Sequence, residues 1–248
     1  MADPNERFRE DQQRFFQTAD ERHFRWQTTN PYVARTERDL LRGFPIASGT
    51  RILEVGCGEG GNLTNLLRRD LPHSSVVGVD LFEQKVAFAS KADIPAIFVC
   101  GDALDLPFKD SAFDLVLCRD VLHHVQNRER ALRELRRVCR PGGVVWIVEP
   151  NGRNPLMWLL AVIRPHERGL LKNSTVSLRR LVTPVFPKAT YTARQPMPIY
   201  RALLHYQFGL PALGTYQVFA RGMDAWDALA RRLVPRALWS YVIIAADA

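Results

Sequence analysis

Apolar residues recur along this chain with two different periods, and the changes between them mark the elements. Residues 51–55 run apolar through Ile52, Leu53 and Val55, interrupted by Glu54. Gly56, Gly58, Gly60 and Gly61 then break the run, and Leu63, Leu66 and Leu67 return at helical spacing. That order predicts a buried strand, a glycine turn and a helix whose free N–H groups point at whatever lies over the turn. Short apolar runs at 75–80, 96–100, 113–118 and 144–148 predict further strands, and a helical pattern fills 82–90. Over 127–140, Ala131, Leu132, Leu135 and Val138 share one helix face while Arg133, Glu134, Arg136 and Arg137 share the other. Pro141-Gly142-Gly143 stop that helix, and a second helix start is expected at 121–125.

The ends of the chain are also patterned. Phe8, Phe15, Phe16, Phe24 and Trp26 recur among charges in 1–43, and Thr28-Thr29-Asn30-Pro31 divides this segment into two helices. In the last hundred residues, helices are expected at 155–163, 178–186, 200–208 and 223–233, and strands at 188–195 and 238–246. The run at 155–163, PLMWLLAVI, reads either as a cap helix buried over a site or as a segment dipping into a membrane surface, helped by Arg164, Arg168 and Lys172. Tyr200, His205 and Tyr206 are lid or pocket candidates.

Composition narrows the function. A chain of 248 residues with 46% hydrophobic residues fits one α/β domain plus an elaboration. The polar N-terminus is not a signal peptide, and no apolar run is long enough to span a bilayer. Cys57, Cys100, Cys118 and Cys139 form no CxxC pair, so reduced cysteines in a cytoplasmic protein are expected, with neither disulfide nor metal site. Residues 151–248 carry 13 basic side chains against 4 acidic, which accounts for the whole net charge of +8. Such asymmetry points to a negative partner: nucleic acid, anionic lipid or an acidic substrate.

The motifs narrow it further. Glu54, Gly56, Gly58 and Gly60 give ExGxGxG, with Asp80 closing the next strand and Asp102 the one after; Arg137-Val138-Cys139-Arg140-Pro141-Gly142-Gly143 follows later. Together these resemble the class I methyltransferases that use S-adenosylmethionine (SAM), in their small-molecule branch, the methyltransferase type 11 or ubiquinone-biosynthesis-like proteins. The resemblance implies a Rossmann-like α/β fold with a seven-stranded, mostly parallel sheet and an antiparallel last strand lying between strands 5 and 6. It divides the chain into an N-terminal helical lid (1–43), a SAM-binding core (44–151) and a helical cap plus closing strands (152–248). It also implies that Glu54 orients the glycine loop of Gly56, Gly58 and Gly60. Asp80, followed by Leu81, would accept from the ribose diol, or else cap the next helix. Asp102 and Ala103 would read the adenine edge, or else make a turn. Arg119, ending strand 4, joins the cofactor set, and Trp26 or Tyr32 would lie near the sulfonium.

His123 and His124 follow strand 4, beyond the carboxyl ends of the strands where ligands of open sheets sit. Either serves as a general base, His123 being preferred, and only one is expected to face the substrate; the other reading is a helix-start histidine bonded to backbone. Glu149, ending strand 5, is a second polar candidate. The resemblance thus implies methyl transfer from SAM, leaving S-adenosylhomocysteine, to a small apolar, lipid, quinone or polyketide-like acceptor. The enzyme would be cytoplasmic, with an anionic membrane surface as a candidate partner. An RNA acceptor held by the basic C-terminal third is the alternative, although no NPPY-type tetrapeptide follows strand 4, where Cys118-Arg119-Asp120-Val121 stands.

Overall fold

The computed structural model describes residues 15–67 and 74–248. Phe8 and the start of the expected N-terminal helix lie outside them. The strands are β1 (Arg51–Val55), β2 (Ser75–Asp80), β3 (Ile97–Cys100), β4 (Phe113–Arg119), β5 (Cys139–Pro150), β6 (Thr190–Arg194) and β7 (Tyr241–Asp247). They form one sheet in the order β3-β2-β1-β4-β5-β7-β6. The pairs from β3 to β5 are parallel. β7 runs antiparallel between β5 and β6, as the resemblance implied.

The alternation of side chains explains why these runs are apolar throughout. Leu53, Val55, Val116, Cys118, Val145 and Ile147 enter one core, while Ile52, Leu115, Leu117 and Val148 enter the other. Both faces of the central strands are covered, so apolar residues dominate both, as befits a parallel sheet, with Glu54 a buried exception. The first core is closed by α5 (Arg128–Val138) through Ala131, Leu132, Leu135 and Val138, and by α7 (Thr175–Val182) through Leu178 and Val182. The second is closed by Leu40 of α2 (Pro31–Leu40), Leu41 and Phe44, and by Leu63 of α3 (Gly61–Leu66). α1 (Glu21–Thr29) precedes α2, and α4 (Glu83–Ala89) links β2 to β3. α1 starts at Asp20 and α2 at Asn30, each side chain accepting backbone N–H groups of its first turn.

After β5 come α6 (Pro155–Ile163), a 3-10 stretch Pro165–Lys172, α7, β6, α8 (Tyr200–Leu203) and α9 (Gln217–Leu233). The N-terminal helices pack on this cap. Trp26, Tyr32 and Val33 share a cluster with Tyr200 and Leu204, and Trp26 Nε1 donates to the Leu204 carbonyl at 2.5 Å.

Three elements depart from the sequence reading. The expected helix start at 121–125 is a single 3-10 turn, Leu122–His124, because the Glu149 carboxylate accepts the Val121 and Leu122 N–H groups at 3.0 and 2.8 Å. α8 stops at Leu203 instead of reaching Phe208, since Leu210 N closes back on the Leu203 carbonyl at 2.7 Å. α6 buries Met157 and Ala161 but leaves Trp158, Leu159, Val162 and Ile163 exposed, so it is only half a buried cap helix.

β1 pairs with β2 on one side and β4 on the other, which places the sheet's switch point at β1 and opens a crevice beyond the ends of β1 and β4. Gly56 builds that edge. It has φ +73°, and a Cβ there would strike the Val121 side chain. Gly56→Ala is expected to cost about 2–4 kcal/mol in urea unfolding, from strain and overlap together. Gly222, inside α9 with open space around it, is the contrast: Gly222→Ala should stabilise by about 0.5–1 kcal/mol in the same measurement.

Candidate active site

The glycine loop stands on two carboxylates. Val79 carbonyl accepts the Gly56 and Cys57 N–H groups at 2.8 and 3.0 Å. Asp80 accepts from Gly58 N (2.8 Å) and, through its other oxygen, from Phe82 N (3.0 Å). Asp80 therefore joins the loop to the end of β2 and caps the start of α4. Gly58 (φ +53°) turns its open side toward the Lys85 amine, whereas Gly60 (φ +82°) packs against Phe98 and Ala89. Behind the loop, Glu54 is fully buried. Its Oε1 accepts from Asn62 Nδ2 at 2.7 Å, while its Oε2 has no partner among the described residues. Burial pushes its pKa up to about 8, against the opposing pull of Asn62 and Arg119.

Arg119 is buried at the end of β4 and spent on protein groups. Nη1 donates to Asn62 Oδ1 at 2.8 Å, Nη2 pairs with Glu37 of α2, and Nε lies 3.3 Å from Asp120. Glu37 also meets Arg201 Nη2 of α8 at 2.7 Å. Asp120 takes the left-handed conformation (φ +55°) and points into the crevice, a strained position of the kind that clusters at functional sites.

The crevice is a cavity of about 700 Å³. Its floor is Gly56, Cys57 and Gly58, its roof is Phe15, Phe16, Asp20, His23 and Trp26, and its far wall is Met157, Leu160, Arg164 and Leu170 from the cap. The roof is fastened to the floor by Glu59, which accepts from Asp20 N at 3.1 Å and sits 3.4 Å from Lys85 Nζ and 3.7 Å from His23 Nδ1. Burial alone would raise the Glu59 carboxyl, but His23 and Lys85 hold it down at about 2. The Lys85 amine also lies 5.0 Å from the Phe16 ring centre.

His123 and His124 both line this cavity, their ring centres 3.9 Å apart, contrary to the expectation that only one would. The 3-10 turn, rather than an α-helix, is what sets them side by side. His123 Nδ1 is 2.8 Å from Glu149 Oε2 and Nε2 is 3.3 Å from Glu167 Oε2. Burial would lower its proton affinity, but the charge and hydrogen bond of Glu149, with Glu167, raise it to about 10. This upward shift favours the protonated ring and weighs against the general-base role expected of His123. His124 is driven the other way, to about 3, by burial and by its charged neighbour, so its ring is neutral. Its Nε2 is 3.9 Å from Glu167 Oε2, and Phe16 meets it edge-on at 4.8 Å.

The remaining expected residues are placed differently. Leu81 and Asp102 are exposed, and Ala103 is half-buried against the first core. Asp102 accepts from Leu104 N at 2.8 Å, the turn arrangement. With Asp80, these residues occupy the ends of β2 and β3 beside the loop and do not line the cavity itself. Tyr32 also lies away from it, packed on Tyr200, while Trp26 lines it. Sequence reasoning missed Phe16, Glu59, Lys85 and Glu167. Nothing in their spacing marks them, since each acts through a contact with a distant segment.

Comparison with known proteins accords with this arrangement. Residues 53–147 match the family model described as a methyltransferase domain. The 27-O-demethylrifamycin SV methyltransferase of Amycolatopsis mediterranei is 35% identical over 112 residues, 42% of this chain and 40% of that one. The phthiotriol/phenolphthiotriol dimycocerosates methyltransferase 1 of Mycobacterium ulcerans is 42% identical over 111 residues, 44% of this chain and 41% of that one. The chain thus spans about two fifths of the length of these relatives. Among solved structures, phosphoethanolamine N-methyltransferase 2 of Haemonchus contortus, in complex with S-adenosyl-L-methionine, shares the fold with a TM-score of 0.67 at 21% identity. That likeness covers 97% of this chain and 59% of that one. The match to a methyltransferase domain thus falls on the stretch that carries β1 to β5 and the glycine loop, and the strand order agrees with it.

Proposed function

We propose that this chain is a SAM-dependent methyltransferase acting on a small, largely apolar acceptor. The observation that carries the reading is the glycine loop resting on Glu54 and Asp80 at the switch point of the sheet, opening into a roofed cavity. The open side of Gly58 leaves room for a ligand to approach the loop backbone closely, while the buried Glu54 supports the loop from behind. Asp80 has lone pairs left for ribose hydroxyls, and the exposed Asp102 carboxylate with the Ala103 N–H is the adenine candidate. The bound sulfonium supplies an already activated methyl group for in-line displacement.

The chain's own task is then alignment and exclusion of water. Phe15, Phe16 and Trp26 roof the cavity, and Met157, Leu160 and Leu170 give it an apolar wall for the acceptor. His124 offers a neutral imidazole nitrogen to orient an acceptor hydrogen, and His123 anchors its neighbour between two carboxylates. Outside the cavity mouth, Trp158, Leu159, Val162, Ile163, Phe208 and Leu210 are exposed, with Arg153, Arg168 and Lys172 nearby in the chain. This rim suits uptake of a lipid-like acceptor from an anionic surface. Within the basic C-terminal third, Arg201 and Arg164 turn inward, to Glu37 and to His205 and Phe208, and are unavailable to an RNA backbone.

Three outcomes are expected. Calorimetry should find SAM and S-adenosylhomocysteine bound at one site, with Asp80→Ala weakening both about 10–100-fold while circular dichroism keeps the wild-type shape. Unchanged affinity in that variant would remove Asp80 from the cofactor site. Without cofactor, the protein should lose stability as pH rises from about 4.5 to about 8, because folded Glu54 keeps its proton while unfolded Glu54 gives it up. Glu54→Gln should flatten that slope in urea titrations. Liposomes containing anionic lipid should sediment the wild-type protein, and Trp158→Ser with Ile163→Ser should lower the bound fraction several-fold.

A further inference from the structure

Besides the glycine loop, a second group of side chains converges on the cavity, and its buried carboxylates go beyond what orienting an acceptor needs. Glu149 is fully buried at the end of β5 and accepts four hydrogen bonds: from Val121 N, Leu122 N, Asn173 Nδ2 (2.9 Å) and His123 Nδ1. A carboxylate so fixed holds the His123 ring in one orientation and commits Nδ1 as the donor. His123 Nε2 is thereby aimed at Glu167 Oε2, 3.3 Å away, with His124 Nε2 3.9 Å from the same oxygen. The three ligand atoms lie within 4.8 Å of one another.

We propose that His123, His124 and Glu167 bind one divalent transition-metal ion, with Glu149 as the carboxylate that orients His123. Bonds of about 2.0–2.1 Å to nitrogen and carboxylate oxygen in tetrahedral geometry place neighbouring ligand atoms about 3.3 Å apart. The His123–Glu167 edge already has that length, and the edges to His124, 3.9 Å to Glu167 and within 4.8 Å to His123, shorten as the ion is bound. The buried carboxylate on the far nitrogen is the outer-shell arrangement that metal-ligating histidines take. Two imidazoles and one carboxylate select zinc, manganese, iron or cobalt over magnesium and calcium, which prefer oxygen ligands throughout. Three protein ligands leave a position facing the cavity, open to water or to an acceptor oxygen, so the site is of the reactive rather than the structural kind. His166, whose Nε2 is 3.9 Å from the other Glu167 oxygen, and Phe15, stacked on it at 3.6 Å, flank the site from the cap and the roof.

Metal affinity is measured without cofactor or acceptor, so its outcome is independent of the methyl-transfer reading. Full-length protein, free of any affinity tag and stripped with a chelator, should bind one equivalent of zinc by calorimetry. Titrated with cobalt, it should show the intense visible bands of a four- or five-coordinate ion. Glu167→Gln and His124→Gln should each weaken zinc at least about tenfold and abolish the cobalt bands, with SAM affinity and circular dichroism retained. Absence of a stoichiometric site in the wild-type protein would overturn the proposal, and Glu149, His123 and Glu167 would then be a proton-bridged ion cluster. Binding that survives both substitutions would overturn it as well.

Discussion

The arrangement depends on one buried cation. Arg119 stands at the end of the central strand β4, and each of its donors goes to a different part of the chain: Asn62 at the start of α3, Glu37 on the second N-terminal helix, and its neighbour Asp120. Through Asn62 it reaches Glu54 under the glycine loop, and through Glu37 it reaches Arg201 and Tyr200 in the cap. Loop, roof and cap are thus tied to a single guanidinium. Burying these charges costs much of what their attraction returns, so net stability is a poor explanation for keeping them. Removing one partner would strand the others, at a cost of about 3–5 kcal/mol. The pairings fix which surfaces of the N-terminal helices and cap meet the sheet edge, a specificity that apolar contacts such as Trp26 on Leu204 would not supply alone.

That tie divides the cavity into two chemical halves. On the loop side, a neutral Glu54 and the bridging Asp80 hold backbone N–H groups and a glycine surface in place. On the cap side, Glu149 and Glu167 hold a charged His123 beside a neutral His124. Adjacent residues of one type have opposite protonation because the carboxylates reach His123 directly, while His124 feels mainly the burial and the charge of its neighbour. The cap's contribution is essential to this contrast: Glu167 comes from the 3-10 stretch after α6, and Asn173, which steadies Glu149, closes that stretch.

The centre of the sheet was legible in the sequence because β1, β2, β4, β5 and β7 are largely buried on both faces and so read as mainly apolar runs. β1 and β2 fall where the runs predicted, and β7 lies between β5 and β6. The glycine loop was legible for a steric reason: three positions with positive φ in five residues have few other occupants. The protonation of the histidines was not legible. It depends on Glu149 and Glu167, 26 and 44 residues away in the chain, and no local pattern encodes a contact across that separation. The protein partners of Arg119 were hidden for a related reason. A charged residue at the cleft end of a strand reads as a ligand contact, and only the fold reveals that Glu37 and Asn62 meet it as well. The sequence left α6 open between a buried and an interfacial helix, because a uniformly apolar run looks the same whether covered on one side or all round.

The matched region ends at residue 147, and this boundary runs through the site, between the histidines and the carboxylates that hold them. Glu54, the glycines, Asp80, Asp102, Arg119 and both histidines lie within it. Glu149, Met157, Arg164, Glu167, Leu170 and Arg201 lie after it, and the roof residues from Phe15 to Trp26 lie before it. The match therefore covers the first five strands, the loop and both histidines, and the chain spans about two fifths of the length of the relatives it matches. The carboxylates that hold His123 lie beyond it, Glu149 two positions past the matched region and Glu167 in the 3-10 stretch after α6. The setting of the histidines is thus decided by a part of the chain that the match does not reach.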